Sequence, residues 1–208
     1  MRMDWLPVSA ALLLTGALAL ALGSFLLPTT NGAADAIQVV QDQGGVWMTA
    51  AAIDFLAAVC LTLGLPSVLT LVERRGRTLG LTSAVVLAFG FIGTAGYAML
   101  LVFFRALVVT ETIRNKGVDD VAHDTGLLIF LYAWLAGFLI GELLLALALL
   151  RAGTVPRWVP FLLLLHFVLA LAAGLLPDWM GKVTVLFFVI GFAGIAIQAT
   201  KPVAPRRY

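Results

Sequence analysis

Charge is scarce in this sequence: Asp, Glu, Lys and Arg make up only 12% of 208 residues, against 62% hydrophobic. A soluble domain carries about 25% charged residues. Surface-to-volume scaling leaves no single water-soluble core able to hide so large an apolar excess. Lipid is the solvent that fits. Cysteine is nearly missing. Cys60 alone excludes an intrachain disulfide and, among apolar neighbours, reads as a buried, inert thiol. Of the two histidines, His166 falls inside an apolar stretch and His123 between stretches, which excludes a haem held by two intramembrane imidazoles. No lysine lies within an apolar stretch, which excludes a retinal Schiff base. H-E-x-x-H and its reverse, G-x-S-x-G, the Walker A loop and the dinucleotide fingerprint are all missing, and no serine shares the depth of His166 on an adjacent span. No catalytic set, metal site or cofactor is expected. The net charge of +2, with its basic residues in short connecting stretches, argues against a nucleic-acid partner.

What is present is long apolar runs. A helix needs about 20 apolar residues to cross roughly 30 Å of hydrocarbon. Six stretches qualify or nearly do: Trp5–Leu27, Val46–Val72, Leu79–Leu107, Gly126–Leu150, Trp158–Leu176 and Val183–Thr200. Open sheet edges cannot face lipid, so these runs predict an all-α, six-span bundle in one domain. Pro66, after Gly64, is expected to kink the second helix. The first run, with Arg2 before it and small residues around Ala21–Ser24, has the look of a signal peptide. It outlasts an ordinary signal core, so a retained helix is expected.

Orientation follows from basic residues. Arg2, then Arg74, Arg75 and Arg77, then Arg151 and Arg157, then Lys201, Arg206 and Arg207 make nine on one side. Arg114, Lys116 and Lys182, with Arg105 at a span end, stand against them. The positive-inside rule puts the first set, and both termini, in the cytoplasm of a cell whose plasma (bacterial inner) membrane holds the protein. Trp5, Trp47, Trp158 and Trp179 fall at span ends, where amphipathic rings prefer to sit. The longer loops are then external. Pro28–Gly45 mixes Ile37, Val39 and Val40 with Asp35, Gln38, Gln41 and Asp42, the pattern of a short helix lying on the outer surface. Val108–Thr125 reads as a solvated connector; Asp119, Asp120 and Asp124 fall short of the six to eight oxygen ligands of a calcium site.

Ionisable groups inside a membrane cost free energy and mark candidate sites. Asp54, at the depth of Tyr97 and Trp134, suggests an outward-opening polar pocket or a carboxyl hydrogen-bonded to neighbouring hydroxyls. Arg105 is near enough to the surface to snorkel. Glu142 lies eight residues from the inner end of the fourth span and His166 eight from the start of the fifth, so both come out about 12 Å deep. On antiparallel neighbours joined by a short loop, equal depth predicts a hydrogen bond or ion pair. Gly90, Gly93 and Gly96 on the third span, and Gly137 and Gly141 on the fourth, form small faces for close helix packing, within the chain or against a second copy.

The run Leu149-Leu150-Arg151-Ala152-Gly153-Thr154-Val155-Pro156-Arg157-Trp158 resembles the R-x-G-x-x-P-R loop of an uncharacterised family of bacterial and archaeal six-span membrane proteins, and Ala52-Ile53-Asp54-Phe55-Leu56 resembles its aspartate-bearing span. Val159-Pro160 departs from the Leu-Gly that the family pattern carries next. The resemblance implies an architecture and no activity. Gly153 is positioned to end the fourth helix in the left-handed conformation, and Arg151 and Arg157 face anionic lipid. Three functions compete: a lipid- or partner-binding accessory protein, which the missing catalytic sets favour; a small proton-coupled transporter with Asp54, Glu142 and His166 along its path; and an enzyme acting on a lipid or isoprenoid.

Overall fold

With no water in the hydrocarbon to satisfy them, backbone N–H and C=O groups must bond within their own segment. The computed structural model, which describes residues 5–30, 32–72, 76–112, 121, 123–175 and 177–201, accordingly has six α-helices and no strand among those residues. They are α1 (Trp5–Leu26), α2 (Ala33–Val72), α3 (Arg77–Val109), α4 (Thr125–Ala152), α5 (Trp158–Leu171) and α6 (Asp178–Ala199), with a 3₁₀ turn at Ala173–Leu175. Five of them are long and apolar enough to cross a membrane. Successive helices pack on one another, α6 closes the ring on α1, and α2 also touches α4 and α6. Arg2, Arg74, Arg75, Arg114, Lys116, Asp119, Asp120, Arg206 and Arg207, used above for topology and the calcium test, lie outside the described residues.

The exception to the span lengths is α5. A helix was expected over Trp158–Leu176, but α-helical bonding stops at Leu171 and the chain tightens into the 3₁₀ turn. At about 1.5 Å per residue those 14 residues reach only about 21 Å. In α6, helix starts at Asp178, so Trp179 and Lys182 belong to its opening turns and not to a loop.

The first long loop is also different from expectation. Ala33–Val72 is helical throughout except at Gln43 (φ −126°, ψ 30°). The amphipathic segment does form a helix, but Ile37 and Val40 are buried with Trp47, Ala51, Leu101 and Val108, so its apolar side packs on the protein itself. The break at Gln43 is held from α3. Arg105 Nε donates to Gly44 O at 2.9 Å, and Trp47 Nε1 donates to Leu101 O at 3.0 Å. Arg105 is thus a clasp across the two helices.

The kink expected at Pro66 is not where the dihedrals break. The next N–H along, that of Ser67, binds Ser9 Oγ of α1 at 3.1 Å, while the Ser9 hydroxyl reaches Gly64 O at 3.0 Å. A buried hydroxyl therefore supports the turn that proline weakens. Close approach makes this possible: a Cβ on Gly64 would lie 2.6 Å from Leu13 Cα, and one on Gly16 would lie 2.7 Å from Leu61 N.

The predicted glycine faces divide. A Cβ at Gly90 would meet Phe138 Cα at 2.6 Å, one at Gly141 would meet Leu87 N at 2.7 Å, one at Gly137 would meet Phe89 Cδ1 at 2.5 Å, and one at Gly93 would overlap the Trp134 indole. These four seat α3 against α4 inside the chain. Gly96 does not belong with them, since nothing stands within 4 Å of its Cβ position. The C-terminal end of α4 closes as expected, with Gly153 at φ 63° and its N–H bonded to Leu149 O at 2.9 Å.

Candidate functional site

The four candidate polar residues fall into two groups, and no hydrogen bond joins the groups among the described residues. The first group is a pair across α4 and α5. His166 Nδ1 lies 2.8 Å from Glu142 Oε2 and 2.9 Å from Oε1, and Glu142 is fully buried. The contact expected from equal depth is present. Along α5 the buried residues are Val159, Pro160, Leu163 and His166, so one face of the helix ends its packing at the imidazole. Phe188 of α6 backs the ring, with centroids 5.4 Å apart. Phe188 in turn stacks on Phe192 at 4.1 Å and meets Phe138 at 5.4 Å. An apolar, aromatic wall fixes the imidazole on one side, and the carboxyl fixes it on the other.

The second group is on α2 and α3. Asp54 is buried against α1, where a Cβ on Gly23 would overlap its Oδ1. The expectation that neighbouring hydroxyls satisfy this carboxyl fails for Oδ1, which has no hydrogen-bond partner. The reason is local composition: the residue α1 presents there is glycine, whose absent side chain makes room but brings no donor. Tyr97 lies within reach of the Asp54 charge and stacks on Trp134 with centroids 5.0 Å apart. Trp134 Nε1 donates to Thr94 Oγ1 at 3.2 Å, and that hydroxyl donates to Gly90 O at 3.1 Å. The shared depth of Tyr97 and Trp134 is thus real contact.

A third feature was not foreseen as a site. At one end of the bundle a cavity of about 420 Å³ is lined by Gly76, Arg77, Thr78, Leu79, Thr82 and Arg151. It sits where α3 begins, at a residue with φ 84° and no side-chain cap, beside the last turn of α4. Helix starts leave N–H groups without intrahelical acceptors and carry partial positive charge. Arg77 and Arg151 add two full charges, and the ion pair seen among the described residues is the distant His166–Glu142. Both arginines were legible as topology signals; that they converge was not, because it depends on how the start of α3 packs against the last turn of α4. A smaller apolar cleft of about 230 Å³ opens between α2 and α3, lined in part by Ala58, Val59, Ile92 and Ala95. No group of three or more His, Cys, Asp or Glu residues able to hold a metal occurs among the described residues. No family model, curated protein or solved structure matches the chain.

Proposed function

We propose that this chain is a six-span protein of the plasma membrane, with both termini cytoplasmic, that binds an anionic lipid and performs no catalysis of its own. The observation that carries the reading is the cavity at the start of α3, lined by Arg77 and Arg151 beside a helix start that has no side-chain cap. An anionic phosphate fits both the fork of an arginine and the positive end of a helix. The positive-inside count supports placing this end at the cytoplasmic leaflet, where anionic headgroups are available. The Glu142–His166 pair supports a non-catalytic role. Both carboxyl oxygens are already engaged by the imidazole, and the carboxyl has no exposed surface. The fifth crossing is α5 with its 3₁₀ extension, and kinship with the uncharacterised six-span family is part of the same reading.

Two experiments test it. Native mass spectrometry of the full chain should retain phosphatidylglycerol over phosphatidylcholine, and Arg77→Ala with Arg151→Ala should abolish the preference. Equal retention of both lipids, or a preference unchanged in the double variant, removes the lipid reading. For topology, Thr112→Cys in a Cys60→Ser background should label with an impermeant thiol reagent from outside intact cells, and Thr154→Cys only after lysis. The opposite pattern inverts the orientation, and external labelling at both positions breaks the six-span count.

A further inference from the structure

Asp54 Oδ1 is the one buried side-chain polar atom without a hydrogen-bond partner among the described residues. What stands against it is the backbone of α1. A Cβ built on Gly23 would overlap that oxygen and lie 2.8 Å from the carboxyl carbon. The contact is too tight for a metal ion with a shell of oxygen ligands. The smallest cation, a proton, needs no such room.

The chemistry of the two surfaces points the same way. Within a helix each N–H is engaged by the carbonyl four residues back, whereas each carbonyl keeps a second lone pair. The face of α1 is therefore rich in acceptors and poor in donors. Trp5–Leu26 has no charged side chain, and its hydroxyls are Ser9, Thr15 and Ser24. A carboxylate needs donors. A carboxylic acid carries its own O–H and needs only an acceptor. Glu142 illustrates the other solution, with both oxygens on an imidazole nitrogen.

We propose that Asp54 is a proton-binding site whose neutral form latches α1 onto α2 at Gly23. Release breaks the acid O–H bond, the proton leaves on water, and the electron pair stays on the carboxylate, which α1 can no longer seat without water or a counter-charge. The surrounding groups are accounted for on every packed element. α1 offers none; on α3, Tyr97 is near and Arg105 is committed to Gly44 O. On α4, Glu142 is committed to His166, and on α2 itself Asp35 and Asp42 lie further toward the Gln43 end. On α6, Lys182 Nζ donates to Leu27 O at 3.0 Å, and the Leu27 N–H in turn bonds Gly23 O at 2.8 Å. Lys182 is thus held at Leu27, one helical turn past Gly23, and like Arg105 is engaged by a backbone carbonyl. None of these groups lines the Arg77–Arg151 cavity, so the inference is independent of the lipid reading.

Infrared difference titration of the full-length protein in detergent tests this. The C=O band of a neutral carboxylic acid should be present at mildly acid pH, vanish reversibly on alkalinisation, persist in Glu142→Gln and be missing in Asp54→Asn. On the unsubstituted protein, dicyclohexylcarbodiimide should modify Asp54, located by peptide mass spectrometry, with a rate falling about tenfold per pH unit above the transition. If the neutral form is the latch, the unsubstituted protein should melt at a lower temperature on the alkaline side of the infrared transition than on its acid side, and Asp54→Asn should lose that slope. A band that is missing or does not titrate, or labelling indifferent to pH, overturns the proton site. An unchanged slope in Asp54→Asn overturns the latch.

Discussion

Two carboxyl groups are buried among the described residues, and their surroundings are opposite. Glu142 faces a base on the neighbouring helix and is backed by aromatic rings, so either it or His166, stripped of the other, would be stranded. Asp54 faces the bare backbone of Gly23, and one of its oxygens has nothing to bond. The comparison teaches that burial alone does not define a polar site in lipid. What matters is whether the facing surface supplies donors, acceptors or neither.

The contrast breaks most directly at the imidazole. His166→Phe leaves Glu142 buried without its partner, and removing one member of a buried pair costs about 3–5 kcal/mol. Thermal melts in detergent should show this loss. In a cycle with Glu142→Gln, the double variant should deviate from additivity by about 0.5 kcal/mol or more. Strict additivity would make the pair a coincidence of packing. A middle-sized effect is expected where α1 meets α2. Gly64→Ala drives a methyl group into the Leu13 backbone, an overpacking cost of about 1–3 kcal/mol, and Gly23→Ala drives one into the Asp54 carboxyl with a similar loss. If Gly23→Ala proves harmless while Gly64→Ala does not, Asp54 is not seated as described. The smallest effect should come from Gly96→Ala, within about 0.5 kcal/mol, since its Cβ position is open. A large loss there would restore Gly96 to the packing face.

Much of this architecture was legible because lipid imposes a simple rule. Apolar runs of sufficient length must be helices, and α3 and α4 start and stop within two residues of where their runs do. Equal depth on consecutive antiparallel helices was enough to bring Glu142 to His166. What escaped depends on contacts between segments. The segment before Val46 read as a separate short helix lying on the outer surface because its polar residues dilute the apolar ones, yet α3 supplies the surface that Ile37 and Val40 bury against. Pro66 signals a kink by itself, but the hydroxyl that supports the chain there comes from Ser9, more than fifty residues away. Fifth-span length was misjudged because Ala172–Leu175 is apolar enough to extend a helix, while Gly174 and Pro177 favour ending one. The glycine spacing gave three residues on α3 equal standing, and only the rotation of α3 about its axis separates Gly96 from Gly90 and Gly93.

The shortness of α5 has a consequence for the membrane as well as for the protein. Its 14 α-helical residues rise about 21 Å and the three of the 3₁₀ turn add about 6 Å, while a hydrocarbon core is about 30 Å thick. As the fifth crossing proposed above, it is shorter than its neighbours, α4 with 28 residues and α6 with 22. Lipid beside a short span thins to meet it, at a cost of fractions of a kcal/mol for each ångström. On that proposed crossing, the bilayer would thin beside α5. That flank favours lipids with short or disordered chains, and a second protein with an equally short helix would gain by settling into the same hollow.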